Sequence, residues 1–487
     1  MKNLVWLLVF PFAPLVAEGI TIAPREPTPQ EKADAAQKLR RMAADLRQTH
    51  PAKFKAAAEA LAATGDERAL KHLQDAYPRV DAVRRRVLLQ TIGQMKPVAV
   101  AESVYVLSLK EPYLGLRRTA AEVLALIEGQ QAAAQRYVKA LTSPDSKLNA
   151  LGRQRALQLL AHIGGRPVAD NVRPLLNDTD AQVVIAACEA VSVMRDVDSV
   201  PALIEVLARR HVETAPSAQE TLERITGQRL GGNLVKWRQW WQDRQVEQAD
   251  AKNDGYGDDK YVPDYGQPHS IPLAESPVDF VVVYDTTGSL GKLWPEVSMH
   301  IDGVLAEMAK RCHSLRLGTV RYRAENANRS RYAVQPFPLT RDLKAARDNV
   351  MDASFGGGSG GLHLGLRHAI SAFQWRAHAR KAVLIVGDVT PKGEGLKACL
   401  KVIYEARELD QIYFSSLFIR SLHGDEHRSS YAQVAALGAG RFYEYDRGWR
   451  RLVDRNLSKE EAKHPEQALE ILKKLMTPFV RESMQPK

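Results

Sequence analysis

Cysteine is scarce in this chain: Cys188, Cys312 and Cys399 are the only three in 487 residues. Three cannot form a complete disulfide framework, and no CxxC metal or redox pair is present. Each lies in an apolar context and reads as a small core residue. Long apolar runs are also missing. After the N-terminal stretch nothing approaches the roughly 20 residues a membrane-spanning helix needs. There is no P-loop, nucleophile elbow or kinase signature, which removes the commonest enzyme classes with a sequence mark. Helix-turn-helix, zinc-finger and aromatic-rich RNA motifs are absent too, so the formal charge of +11 does not point to nucleic acid. It favours acidic partners or an anionic surface, and association with an envelope or membrane surface stays open.

With 45% hydrophobic and 26% charged residues, the composition is that of a folded, water-exposed protein. The length exceeds one ordinary core and predicts a multidomain chain. Lys2 precedes an apolar run from Leu4 to Val16, interrupted by Pro11 and Pro14, with small residues at Ala17 and Gly19. This reads as a secretory signal over 1–19, with export to a periplasm, cell envelope or exterior as the expectation.

Helical patterns recur around Leu61, Ile92, Leu124, Leu160 and Val191, at intervals of about 31, 32, 36 and 31 residues, a solenoid period. Ala58-Glu59-Ala60-Leu61, Ala121-Glu122-Val123-Leu124 and Cys188-Glu189-Ala190-Val191 alternate small and larger residues, as close helix stacking requires. Asp178-Thr179-Asp180 and Ser199-Val200-Pro201 read as helix starts. The pattern over about 50–225 resembles HEAT repeats, and an α-solenoid is expected over 28–245. Such an array implies an extended interaction surface or, alternatively, a passive spacer. Its last helix carries Trp237, Trp240 and Trp241, read as a cap on the end of the core rather than a stacking platform.

Residues 246–277 lose apolar periodicity and read as a linker. Within it, Asp250 to Gly255 imitates a calcium loop. The imitation fails, because Lys252 stands at the third position and Tyr261 where a bidentate Glu belongs.

Beyond the linker, strands are predicted over Val278–Tyr284, Leu315–Tyr322, Lys381–Gly387 and Gln411–Ile419, alternating with helices over Trp294–Arg311, Leu362–Trp375 and Gly395–Leu409. That alternation predicts an α/β, doubly wound, mostly parallel sheet, in which ligands bind beyond the carboxyl ends of the strands. The first strand runs into Asp285-Thr286-Thr287-Gly288-Ser289, a glycine-rich segment spans Gly356 to Gly361 around Ser359, and a later strand ends at Asp388. In order and spacing these three elements resemble the metal-ion-dependent adhesion site of von Willebrand factor A domains, over about 278–446. The resemblance implies that Thr287 and Ser289 ligate a cation directly and Asp285 and Asp388 through water. Ser359 is the candidate from the second loop, and Thr287 stands where the family usually has Ser. The cofactor implied is Mg2+, or Mn2+ or Ca2+, with a protein partner's Asp or Glu as last ligand. Hydroxyl and carboxylate oxygens suit such hard ions independently of the resemblance, and Gly288 is expected to let the turn bend.

Arg321, Arg323, Arg329 and Arg331 are expected to form a basic rim at a hairpin tip on the same edge, favouring acidic partners. His423-Gly424-Asp425-Glu426-His427 matches the H-x-x-E-H pattern of one zinc peptidase class. Its glycine and polar flanks make it a loop, where zinc chemistry needs a stable helix, so no catalytic residue and no enzyme activity is expected. His363, His368 and His378 lack ligand spacing. Residues 447–487 read as a helical extension, amphipathic over Pro465–Arg481. The leading expectation is an exported, non-enzymatic binding protein; the alternative is a metal-free assembly scaffold.

Overall fold

The computed structural model describes residues 28–48, 50–143, 148–253, 277–312, 314–323, 333–356, 360–376, 379–391, 393–420, 427–446 and 451–454. The expected signal over 1–19, most of the linker and the amphipathic C-terminal helix lie outside these residues. No helix among them is long and apolar enough to cross a membrane. Two compact units divide the chain, Met1–Leu73 and Gln74–Lys487. In the first, helix Pro29–Ala44 starts at a capping box in which Thr28 and Glu31 satisfy each other's backbone amides. Phe54, Ala58 and Leu61 of helix Pro51–Ala62 are buried.

The second unit holds the rest of the repeats and the α/β domain together. Helices Ala82–Met95, Leu114–Glu128, Ala150–Ile163, Ala181–Met194 and Thr214–Thr226 form one row. Helices Ala101–Lys110, Gln130–Thr142, Val200–Ala208 and Leu234–Asn253 alternate with them. The long fourth interval is filled by a broken second helix, a single turn at Ala169–Val172 followed by a 3-10 segment Arg173–Asn177. Leu61, Ile92, Leu124, Leu160 and Val191 are all buried. Asp180 caps its helix as expected, accepting from the amides of Gln182 and Val183. Ser199 does not cap the next helix: its hydroxyl is drawn to Asp196, which also takes a two-pronged bond from Arg173 at 2.6 Å. Trp237 is fully buried with its indole N–H on the Gly231 carbonyl at 2.7 Å. Its helix continues to Asn253, past the expected boundary at 245.

The α/β domain is a seven-stranded sheet in the order β3-β2-β1-β4-β5-β6-β7. The strands are β1 Val278–Asp285, β2 Leu315–Tyr322, β3 Val334–Thr340, β4 Arg380–Gly387, β5 Ile412–Ile419, β6 Ala439–Asp446 and β7 Arg451–Asp454. All neighbours are parallel except the two edge pairs, β2 with β3 and β6 with β7. β7 carries the sheet beyond residue 446, where a helical extension was expected. Pairing with β6 covers an otherwise open edge.

Every residue of β1 is buried, as a strand covered on both faces requires. Phe280, Val282 and Tyr284 pack with Trp294, Val297 and Ile301 of helix Trp294–Arg311. The opposite face meets helix Leu362–Ser371, whose Gly365 lies so close that a Cβ there would come within 3.3 Å of Val283 Cγ1.

The repeats grip the amino-terminal edge of this sheet. Helix Glu394–Asp410 ends in two carboxylates that serve the repeat helices: Glu405 accepts from the amide of Ala82 at 2.9 Å and the hydroxyl of Tyr113 at 2.6 Å. Asp410 accepts from the amides of Leu114 and Gly115 at 3.2 and 2.6 Å. Helix Leu114–Glu128 has no side-chain cap of its own, so its unpaired amides are satisfied across the joint. Gly115 leaves no space there, since a Cβ would lie 2.1 Å from the Leu409 carbonyl oxygen. Elsewhere along the joint, Arg341 pairs with Glu220 at 2.5 and 2.8 Å. Buried Asp279, the second residue of β1, binds Arg316 and Arg376 through four bonds of 2.7–2.9 Å. Burial works to raise the Asp279 carboxyl, but the two guanidiniums outweigh it and hold it far below the usual carboxylate range.

Candidate functional site

The strand order reverses at β1 and β4: β2 and β3 lie on one side of β1, β4 to β7 on the other. In open α/β sheets, such a switch point is where ligands bind, beyond the carboxyl ends of the strands. Asp285 is the last residue of β1, and Asp388 follows the last residue of its neighbour β4. Parallel pairing in register, Tyr284 opposite Val386, brings the two carboxylates, 103 positions apart in number (388 − 285), to one end of adjacent strands.

Both acids are buried, as are Thr286 and Thr287. The Thr287 amide donates to Asp285 Oδ1 at 2.8 Å, an Asx-type turn that orients the carboxylate. The hydroxyls of Thr287 and Ser289 stand 3.1 Å apart. Gly288, expected to let the turn bend, has no left-handed φ, and a Cβ there would meet open space. The turn is made by the Asp285 bond and the short 3-10 segment Gly288–Leu290.

Among the described residues, Asp285 Oδ2 and both oxygens of Asp388 are buried without a hydrogen-bond partner. Buried carboxylate oxygens left bare are costly unless a cation meets them. Burial, chiefly, pushes the Asp285 carboxyl up to about 8; the Thr287 bonds act against this, and neighbouring Asp388 adds to it. The donor set is therefore oxygen only, two acids and two hydroxyls, which fits a hard divalent ion.

The glycine-rich segment is pinned to this turn at both flanks. The Gly356 amide donates to the Thr286 carbonyl at 3.0 Å. At the other flank Gly361 sits against the Arg323 carbonyl, where a Cβ would lie at 1.8 Å. Ser359 lies outside the described residues, as do Arg329 and Arg331.

Arg321 and Arg323 do not form an exposed rim. Both are buried. Arg321 donates to the Tyr284 hydroxyl at 2.7 Å and the Asn349 carbonyl at 2.6 Å, with its guanidinium 4.8 Å over the Phe337 ring. Arg323 donates to Thr286 Oγ1 at 3.1 Å and the Ser354 carbonyl at 2.5 Å, tying the first loop to the strand of chain that leads into the glycines. Alternation in β2 points both odd-numbered side chains to the same interior, where polar atoms at the strand ends receive them.

Beneath the acids lie residues that belong to none of the three motif segments. Tyr322 and Tyr431 are fully buried. A Cβ on Gly387 would come within 2.3 Å of the Tyr431 hydroxyl, 3.1 Å of the Tyr322 hydroxyl and 3.1 Å of Asp285 Cβ. Only glycine fits between the two acids and the two phenols. A tyrosine ending the strand beside β1 was the available signal. In the peptidase-like segment His423 and Glu426 lie outside the described residues. His427 is buried, its Nδ1 accepting from the Thr390 amide at 3.3 Å.

Residues 138–223, within the helical N-terminal region, match the family model for HEAT repeats. No curated protein matches the chain. Among solved structures, the pilus adhesin SpaC from Lactobacillus rhamnosus GG in its open conformation aligns at 16% identity over 41% of this chain and 30% of the adhesin, with a TM-score of 0.30. A second crystal form of that adhesin aligns at 15% identity over 41% of this chain and 31% of the adhesin, also with a TM-score of 0.30. The chain spans about a third of the adhesin's length, and a likeness this slight carries no argument about function.

Proposed function

We propose that the α/β domain is of the von Willebrand factor A type and binds a protein partner through a divalent cation. Asp285, Thr287, Ser289 and Asp388 hold the ion, with Ser359 as the second-loop candidate. The observation that carries this reading is the convergence, at the switch point of the sheet, of three bare buried carboxylate oxygens with two hydroxyls 3.1 Å apart. Mg2+ suits an oxygen-only set that leaves room for water; Mn2+ and Ca2+ share the chemistry. Two carboxylates and neutral hydroxyls leave the ion electrophilic, so an incoming Asp or Glu is its natural last ligand. Selectivity for an acidic partner rests on the ion and on Arg329 and Arg331, because Arg321 and Arg323 are engaged internally.

In this reading the protein is exported and non-enzymatic. The repeats hold the opposite edge of the sheet, and any second interaction surface uses their other faces. A metal-free assembly scaffold is the second reading, favoured by the carboxylate-capped joint between repeats and sheet. Calorimetric titration of the full chain with Mg2+, Mn2+ and Ca2+ separates the two. Binding that Asp388→Ala abolishes is expected; no heat and no thermal shift with any of the three ions would overturn the cation reading.

A further inference from the structure

We infer that Tyr322 is a positioning residue of the cation site, its hydroxyl serving as the fixed donor to one ionised carboxylate of the Asp285–Asp388 pair. This rests on the cation reading above and assigns a role to a residue outside the ligand set.

Tyr322 ends β2, the strand hydrogen-bonded to β1, and is paired in register with Asp285. Its side chain is fully buried. The ring is fixed by helix Leu362–Ser371, where a Cβ on Gly365 would lie 3.2 Å from Tyr322 Cδ1. The hydroxyl is therefore held at one spot, on the Gly387 Cα between the two acids. The Tyr431 hydroxyl is its polar neighbour, but the contact falls short of full hydrogen-bond geometry. A buried phenol without a complete hydrogen bond is costly, and a partner arriving in the working state would relieve that cost. The acceptors at hand are themselves bare: Asp285 Oδ2 and both oxygens of Asp388.

Donor and acceptors are unsatisfied at the same place, and the ion resolves both. Once a cation fixes the carboxylates as anions, each still has lone pairs free, and a carboxylate that ligates a metal is normally held by a donor behind it. The Arg323 guanidinium is already committed to Thr286 and Ser354, and the Thr287 amide to Asp285 Oδ1. Tyr431 has a different outlet, its hydroxyl lying 3.5 Å from the Val389 carbonyl oxygen. That leaves Tyr322, whose contact with Tyr431 falls short of hydrogen-bond geometry, as the uncommitted donor at this end of the strands.

The test is calorimetric titration of the full-length Tyr322→Phe variant with Mg2+, beside thermal unfolding in a chelator. Phe keeps the ring and its packing and removes only the oxygen. Magnesium affinity is expected to fall about 10- to 100-fold, the range seen when donors behind metal ligands are removed, while the melting temperature in chelator stays equal or rises. A residue that merely filled the core would show the reverse, lower stability with unchanged affinity. Unchanged affinity in Tyr322→Phe, with the wild type binding normally, overturns the role of Tyr322 and leaves the site standing. Absence of binding in the wild type overturns both.

Discussion

Replacing Asp285 by Asn should make the cation-free protein more stable at alkaline pH and blind to magnesium. In the folded chain, burial holds the Asp285 carboxyl at about 8, against an ordinary value of 3.8. Because the folded value is the raised one, its contribution to stability is fully present below about 4 and is lost as pH rises to about 8. Each pH unit in that window corresponds to about 1.4 kcal/mol, so by pH 8 the penalty on the cation-free fold is on the order of 5 kcal/mol, and near pH 5 on the order of 1 kcal/mol. Asn keeps an acceptor for the Thr287 amide but puts an N–H2 group where Oδ2 has no partner, at a cost of about 1–3 kcal/mol. The balance is close to zero at pH 5 and a gain of roughly 2–4 kcal/mol at pH 8. Thermal unfolding in EDTA at the two pH values reads this directly. Adding Mg2+ should raise the wild-type midpoint most at pH 8 and leave the variant where it was. A variant that is less stable than wild type by the same margin at both pH values would refute the reasoning.

The joint and the far edge of the sheet make separate predictions. Gly115→Ala forces backbone against the Leu409 carbonyl and displaces the Asp410 cap; a loss of about 1–3 kcal/mol is expected, with protease cleavage between repeats and sheet and unchanged magnesium affinity by calorimetry. Asp279→Asn strips the partner from two buried guanidiniums and should cost about 3–5 kcal/mol near neutral pH. Since the Asp279 carboxyl is held low, its stabilisation is fully present above the ordinary value of 3.8 and declines progressively as pH falls below it. Urea unfolding at pH 7 and pH 5 should therefore show the same deficit, shrinking only below about pH 4, and a deficit that vanishes at pH 5 would contradict it.

Local pattern was enough to read the four central parallel strands and most of the helices, but not β3, β6 or β7. Hydrophobic periodicity marks β1, β2 and helix Trp294–Arg311 within a residue of where they occur, because a strand buried on both faces and a helix buried on one leave different periods in the chain. The repeat period is legible for the same reason, and so are Asp285, Thr287 and Ser289, which lie within five consecutive residues. Three things are not written locally. Arg321 and Arg323 look like a solvated basic tip in sequence; the tertiary structure turns them inward because Tyr284, Asn349 and Ser354 offer acceptors from other segments. Glu405 and Asp410 read as ordinary polar residues of an amphipathic helix, and only packing makes them caps for helices about 300 positions away. Tyr322, Tyr431 and Gly387 meet through strand order, which no spacing encodes. Hydrophobic period is a property of neighbours along the chain, whereas hydrogen-bond partners and burial of charge depend on which strand ends up beside which. The sequence alone determined the repeats, the sheet and the first turn of the site. The tertiary structure decided that the two acids stand bare and buried together.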